Sequence, residues 1–213
     1  KLNALQERYP DVNTVYELGA TVEPTCVAYN GIFIRAGGFK PGAYAAVYGG
    51  GPIGLTAIAL LKAAGASKVI AFETVEARRK ICSAMGADHV FDPVALVKQG
   101  SSPSQVVLDL TKGEGADFQF EAAGAPALTI PEMEKSLAIN GRIVQVGRAA
   151  ERVPMYLEAF QVRRAQFFGS QGHSGDEIFP NVIRLMASGA IDNRKMITAR
   201  YSLEQAVDAI KRS

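Results

Sequence analysis

The feature that most constrains this chain is a short run of glycines between a strand-like and a helix-like segment. Residues 43–48, Ala-Tyr-Ala-Ala-Val-Tyr, lead into Gly49-Gly50-Gly51-Pro52-Ile53-Gly54, which opens the apolar stretch Leu55–Ala64. Gly49, Gly51 and Gly54 form G-x-G-x-x-G in the setting that gives the pattern meaning. The first glycine permits a tight turn out of a strand. The second lets a pyrophosphate approach bare backbone, and the third lets helix lie close on sheet. The start of the next helix adds unpaired N–H groups and the positive end of its dipole. Such an element holds a dinucleotide.

From Ala43 onward, strand-like runs alternate with helical patterns, as in a parallel sheet covered by helices on both faces. Further strands are expected at Lys68–Phe72, His89–Phe91, Asp117–Glu121, Arg142–Val146 and near Gln166–Phe168. Helices are expected near Val75–Met85, after the cap Ser102 with Pro103 at the first helical position, and from Pro131 to just before Gly141. The result is α/β: a doubly wound, six-stranded parallel Rossmann sheet over residues 37–172, with residues 1–36 and 173–213 outside it.

Composition excludes several classes of function. A net charge of +2 gives no electrostatic case for nucleic acid or an anionic membrane. The longest apolar run is too short to span a bilayer, and Lys1–Arg8 lacks the apolar core of a signal peptide. Two cysteines, Cys26 and Cys82, make neither a disulfide framework nor a four-thiolate zinc site. A reducing, cytoplasmic setting is expected.

Glu73 stands at the end of the second strand, about 20 residues beyond the last glycine. A carboxylate there accepts hydrogen bonds from both adenosine ribose hydroxyls and repels a 2′-phosphate, favouring NAD over NADP. The plain alternative is a helix-start acid facing water. Arg78 flanks the adenine or ribose, although Arg78 and Arg79 also offer charge to a 2′-phosphate. Methyltransferases that bind S-adenosylmethionine share the glycine turn and the acid. Against them stand a sixth parallel strand and glycine-tipped strand ends at Gly124, Gly147 and Gly169.

The segment Lys40–Leu55 resembles the nucleotide-binding signature of the medium-chain dehydrogenase/reductase superfamily. The likeness continues in 64–70 (Ala-Gly-Ala-Ser-Lys-Val-Ile), in 85–90 (Met-Gly-Ala-Asp-His-Val) and in the closing 196–206. Leu18-Gly19-Ala20-Thr21-Val22-Glu23-Pro24 resembles the zinc-dependent polyol branch. Residues 23–31 and 169–175 are most similar to the inositol/inosose (cyclitol) dehydrogenases.

This resemblance implies that Gly49, Gly51, Pro52, Ile53 and Gly54 cradle the pyrophosphate and that Glu73 and Arg78 hold the adenosine end. It places Ala123, Val146, Gly147 and Phe168 along the nicotinamide. It makes Glu23 a carboxylate that approaches a catalytic zinc, against the plain reading of a charge before a proline turn. Residues 1–36 and 173–213 would then be parts of a catalytic domain, poorly buried without the rest of it. The family's N-terminal domain with its zinc cysteine and Gly-His-Glu motif has no counterpart here. Catalytic residues are therefore unassigned, and zinc belongs to the full-length parent. The implied parent is an NAD-dependent alcohol or polyol dehydrogenase, a homodimer or tetramer, of which this chain alone binds cofactor without turnover. The alternative is a stand-alone or split NAD-binding module with a sensing or interaction role.

Overall fold

The computed structural model describes residues 3–173 and 175–212. Lys1, Leu2 and Ser213 lie outside the described residues, as does Ser174 within the cyclitol-like segment. Six strands, β1 (Tyr44–Tyr48), β2 (Lys68–Phe72), β3 (His89–Phe91), β4 (Ala116–Glu121), β5 (Leu137–Gln145) and β6 (Gln166–Gly169), pair in parallel in the order β3-β2-β1-β4-β5-β6. The order reverses between β1 and β4. A crevice opens there at the carboxyl ends of the strands, the place where such sheets bind ligands.

Alternation along each strand sends residues to two separate cores. Ala45, Val47, Val69, Ala71, Phe118, Phe120 and Val144 face one way. They meet the helices α1 (Asn3–Arg8), α2 (Val12–Ala20), α3 (Val22–Tyr29) and α4 (Pro52–Ala63), together with a later helix at Ile178–Ser188. Ala46, Tyr48, Ile70, Phe72 and Ile143 face the other way, with Val107, Ile130 and Met133 from the helices on that side. Helix α4 is apolar nearly all round because it lies between the sheet and α3. Leu55, Ile58, Leu60 and Leu61 are all buried. Each such side chain contributes roughly 1.5–3 kcal/mol of burial.

The N-terminal flank departs from the expectation of poor burial. Leu5, Leu18, Cys26 and Ile32 are at most 1% exposed and share one core with Val47 and Phe118. Between α3 and β1 the chain makes a π-helical turn, Asn30–Arg35. The C-terminal flank departs from that expectation as far as Asn193, with Ile178, Val182 and Met186 fully buried, and matches it only at the end. There Leu203 and Val207 are 87% and 63% exposed.

Helix α5 (Glu76–Ala84) and the next strand stand where the sequence puts them. Two short helices follow β3: α6 (Pro93–Lys98), a helix beyond those expected, and α7 (Pro103–Leu110), capped by the Ser102 hydroxyl accepting from the N–H of Gln105. The expected helix from Pro131 is corrected. Helix α8 spans Pro126–Lys135, with Pro126 filling the first turn and Pro131 inside it. The strand after it begins at Leu137 rather than Arg142. A register shift and a positive φ at Asn140 let β5 run on past Gly141. Helices α9 (Leu157–Arg163), α10 (Ile178–Ser188) and α11 (Ala206–Arg212) complete the chain. No helix among the described residues is long and apolar enough to cross a membrane.

Candidate functional site

The three motif glycines are required for three different reasons. Gly49 leaves β1 at φ +99°, and a Cβ there would stand 2.7 Å from the amide nitrogen of Ala123. A side chain on Gly54, in the first turn of α4, would collide with the carbonyl oxygen of Gly49. Gly51 is different. It is extended, and a Cβ there would meet nothing within 4 Å. Its missing side chain therefore leaves backbone open to the crevice rather than relieving a clash. No side chain among the described residues caps α4, and Pro52 occupies its first turn. The unpaired N–H groups of that turn are available to an anion.

Glu73, 7% exposed, ends β2 beside this turn. Its Oε2 accepts the N–H of Gly50 at 2.6 Å, and its Oε1 accepts the N–H of Val75 at 2.8 Å and the Thr74 hydroxyl at 3.3 Å. The carboxylate thus orders its own loop first: Oε1 has both lone pairs engaged, and Oε2 keeps one for a further donor. Behind Gly50 lies the Cys82 thiol, pushed up to about 12 by burial and by the Glu73 charge, and so unreactive. Arg79, not Arg78, holds this corner. Its Nη1 donates to the carbonyls of Glu73 (3.0 Å) and Thr74 (2.6 Å) and pairs with Asp92 at 3.2 Å. Arg78 is exposed and lines the cleft.

That cleft has a volume of about 800 Å³. It brings together Gly49, Gly51, Glu73, Arg78 and Ala123 of the expected residues. Pro52, Ile53, Gly54, Val146, Gly147 and Phe168 do not line it. Part of its rim is apolar, formed by Val94 and Val97 of α6 and Leu128 of α8, which are 50%, 64% and 76% exposed, beside the exposed Arg78 and Lys98. Helix α6 carried a readable signal. Asp92 Oδ1 accepts from the N–H groups of Val94 and Ala95, with Pro93 at the first helical position, the same device as Ser102-Pro103.

A second carboxylate, Glu121, was missed by sequence reasoning. It ends β4 and is fully buried. Burial pushes its carboxyl above the usual range, opposed by hydrogen bonds from Ala125, Gln145, Ala123 and Thr129. Nothing in the run Phe118-Gln119-Phe120-Glu121 marks the acid as buried rather than exposed.

Glu23, at the start of α3, pairs with His173 Nδ1 at 3.1 Å, and both are partly exposed. Among the described residues no group of three or more histidine, cysteine or acidic side chains is placed to hold a metal. The residues present do not fit a zinc centre on their own.

The family model described as zinc-binding dehydrogenase matches residues 52–188. The scyllo-inosose 3-dehydrogenase of Thermotoga maritima is 48% identical over 91% of this chain and 49% of its own length. A solved structure from Thermotoga maritima, provisionally named an alcohol dehydrogenase, superposes with a TM-score of 0.92 at 46% identity. It covers 99% of this chain and 53% of that one. A Sinorhizobium meliloti structure with NADP bound has a TM-score of 0.77 at 28% identity, covering 90% of this chain and 54% of that one. The chain spans about half the length of the relatives it matches.

Proposed function

The chain belongs to the zinc-binding dehydrogenase family, and from that premise we propose that it is the NAD-binding portion of an oxidoreductase acting on a secondary alcohol, a polyol or cyclitol. The observation that carries this reading is the open backbone of Gly51 at the mouth of a cleft that Glu73, bonded to the same turn, also lines. The turn of Gly49, Gly51, Pro52, Ile53 and Gly54 takes the pyrophosphate. Glu73 and Arg78 take the adenosine end, and the apolar rim of Val94, Val97 and Leu128 covers the adenine. Ala123, Val146, Gly147 and Phe168 lie along the nicotinamide.

In the whole protein, bound NAD would supply the hydride acceptor for oxidation of the alcohol to a ketone, with the hydroxyl proton released. This chain's residues bind and orient the cofactor in that step. The substrate class is supported by the 48% identity to scyllo-inosose 3-dehydrogenase. NAD is preferred to NADP because a carboxylate at the end of the second strand would accept from the ribose hydroxyls and repel a 2′-phosphate. Glu23 meets a metal only with ligands from outside this chain, and no step is assigned to one. The reading includes work in the cytoplasm as a homodimer or tetramer.

Titration with NADH, NADPH and S-adenosylmethionine, followed by cofactor fluorescence or calorimetry, tests the proposal. Saturable binding of NADH, weaker binding of NADPH and none of S-adenosylmethionine is the expected result. A chain that is folded by circular dichroism and binds no dinucleotide overturns it.

A further inference from the structure

Glu121 closes β4 where the order of the sheet reverses, and it binds the two loops that leave β4 and β5 to one another. Its Oε1 accepts the N–H of Ala123 at 3.1 Å and the Thr129 hydroxyl at 3.3 Å. Its Oε2 accepts Nε2 of Gln145 at 2.8 Å, and the same Nε2 donates to the carbonyl of Gly147 at 2.5 Å. Gln145 Oε1 is buried with no hydrogen-bond partner among the described residues. The Glu121 carbonyl accepts the N–H groups of both Val146 and Gly147 at 3.0 Å. Gly147 lies so close over the carboxylate that a side chain there would collide with Oε2. Ala123, Ala125 and Thr129 line the cleft, so the bonds reach its wall.

A buried carboxylate without a cation is costly, and an apolar side chain would join two strands more cheaply. What a carboxylate supplies is acceptors only, about four lone-pair sites, and here they meet donors from two separate loops. We propose that Glu121, acting with Gln145, is a positioning residue that sets the spacing of loops 122–125 and 145–147 around the nicotinamide half of the cofactor. The inference rests on the dinucleotide reading above, and a test must tell the failure of one from the failure of the other.

The test compares NADH with ADP-ribose, which lacks the nicotinamide, on the whole chain and on Glu121→Gln and Gln145→Met, with circular dichroism for folding. Glu121→Gln puts a donor where only acceptors fit. It should weaken NADH about tenfold, the size of one lost charge-assisted hydrogen bond, and shift ADP-ribose by less than about twofold. Gln145→Met keeps the carboxylate and removes the bridging donor. It should show the same split at about threefold, and it decides the matter if Glu121→Gln does not fold. Parallel loss of both ligands, or an unchanged NADH affinity, overturns the inference and makes the carboxylate structural only. A folded wild-type chain that binds neither ligand overturns the dinucleotide reading and this inference with it.

Discussion

The carboxylate of Glu73 accepts the backbone N–H of Gly50 across 2.6 Å, so the acid that ends β2 and the glycine turn that follows β1 form one unit. Two of its acceptor sites are engaged by backbone before any ligand arrives. Glu73→Ala should therefore cost about 1–3 kcal/mol of stability in urea unfolding, because buried donors lose their acceptor. On the proposed reading it should also weaken NADH by more than tenfold, since the turn would lose its tether and the ribose its proposed partner. Unchanged stability together with weakened binding would show that the Gly50 bond does not order the turn.

Gly51 and Gly54 should part company on substitution. Gly51→Ala has free space and an ordinary φ, so its unfolding free energy should stay within about 0.5 kcal/mol of wild type. On the proposed reading its methyl group would stand in the way of the pyrophosphate, and NADH affinity should fall at least tenfold. Gly54→Ala drives a methyl into the Gly49 carbonyl and should cost more than about 3 kcal/mol or prevent folding. Thermal melts and NADH titrations of the pair decide it; similar losses in both would contradict the assignment.

Asn193 ties the segment after α10 to the N-terminal helices. Its Nδ2 donates to the hydroxyls of Thr21 (3.1 Å) and Thr25 (2.8 Å), whose own protons go to the carbonyls of Leu18 and Thr21. Only a donor fits there. Asn193→Ala should cost about 1–3 kcal/mol. Asn193→Asp would set a buried carboxylate against two lone pairs and should cost about 3–5 kcal/mol near neutral pH. Equal costs for the two variants would refute this account of the site.

Two carboxyl groups should tilt the pH dependence of stability in opposite directions. Burial raises Asp88, but the Val69 N–H at 2.7 Å, the Lys62 ammonium and His89 outweigh it and hold the group below its ordinary range. Its contribution is present above the unfolded value, near about 4, and is lost as pH falls through the lower folded value. Glu121 is raised. Its contribution is complete below its unfolded value and is lost as pH rises through the higher folded one. Urea midpoints across the pH range should show Asp88→Asn flattening the acid limb and Glu121→Gln flattening the loss on the rising side. A profile left unchanged by both would mean that neither group is perturbed.

The sheet was legible because its strands are short apolar runs ended by glycine, proline or an acid, and because βα alternation admits few topologies. The glycine turn was legible because steric demand leaves its mark on residue type. The boundary of α8 was misread because both Pro126 and Pro131 suit a helix start, and only packing chooses between them. Glu121 was not legible at all. Its importance comes from Gln145, Gly147 and Thr129, which the chain brings to it from elsewhere, and no spacing rule encodes that meeting. The N-terminal helices were undervalued for a related reason. Leu5, Leu18 and Ile32 find their partners on α4, α10 and the sheet.

Helix α3 covers the outer side of α4, and the Thr56 hydroxyl lies 3.3 Å from the Pro24 carbonyl across that seam. The consequence concerns inheritance. A gene fragment opened just before β1 would carry every residue of the phosphate turn yet leave the helix behind it with a wet apolar flank. The smallest piece that can be exchanged between proteins with the proposed cofactor grip intact therefore begins upstream of the Glu-Pro pair, well before the first strand.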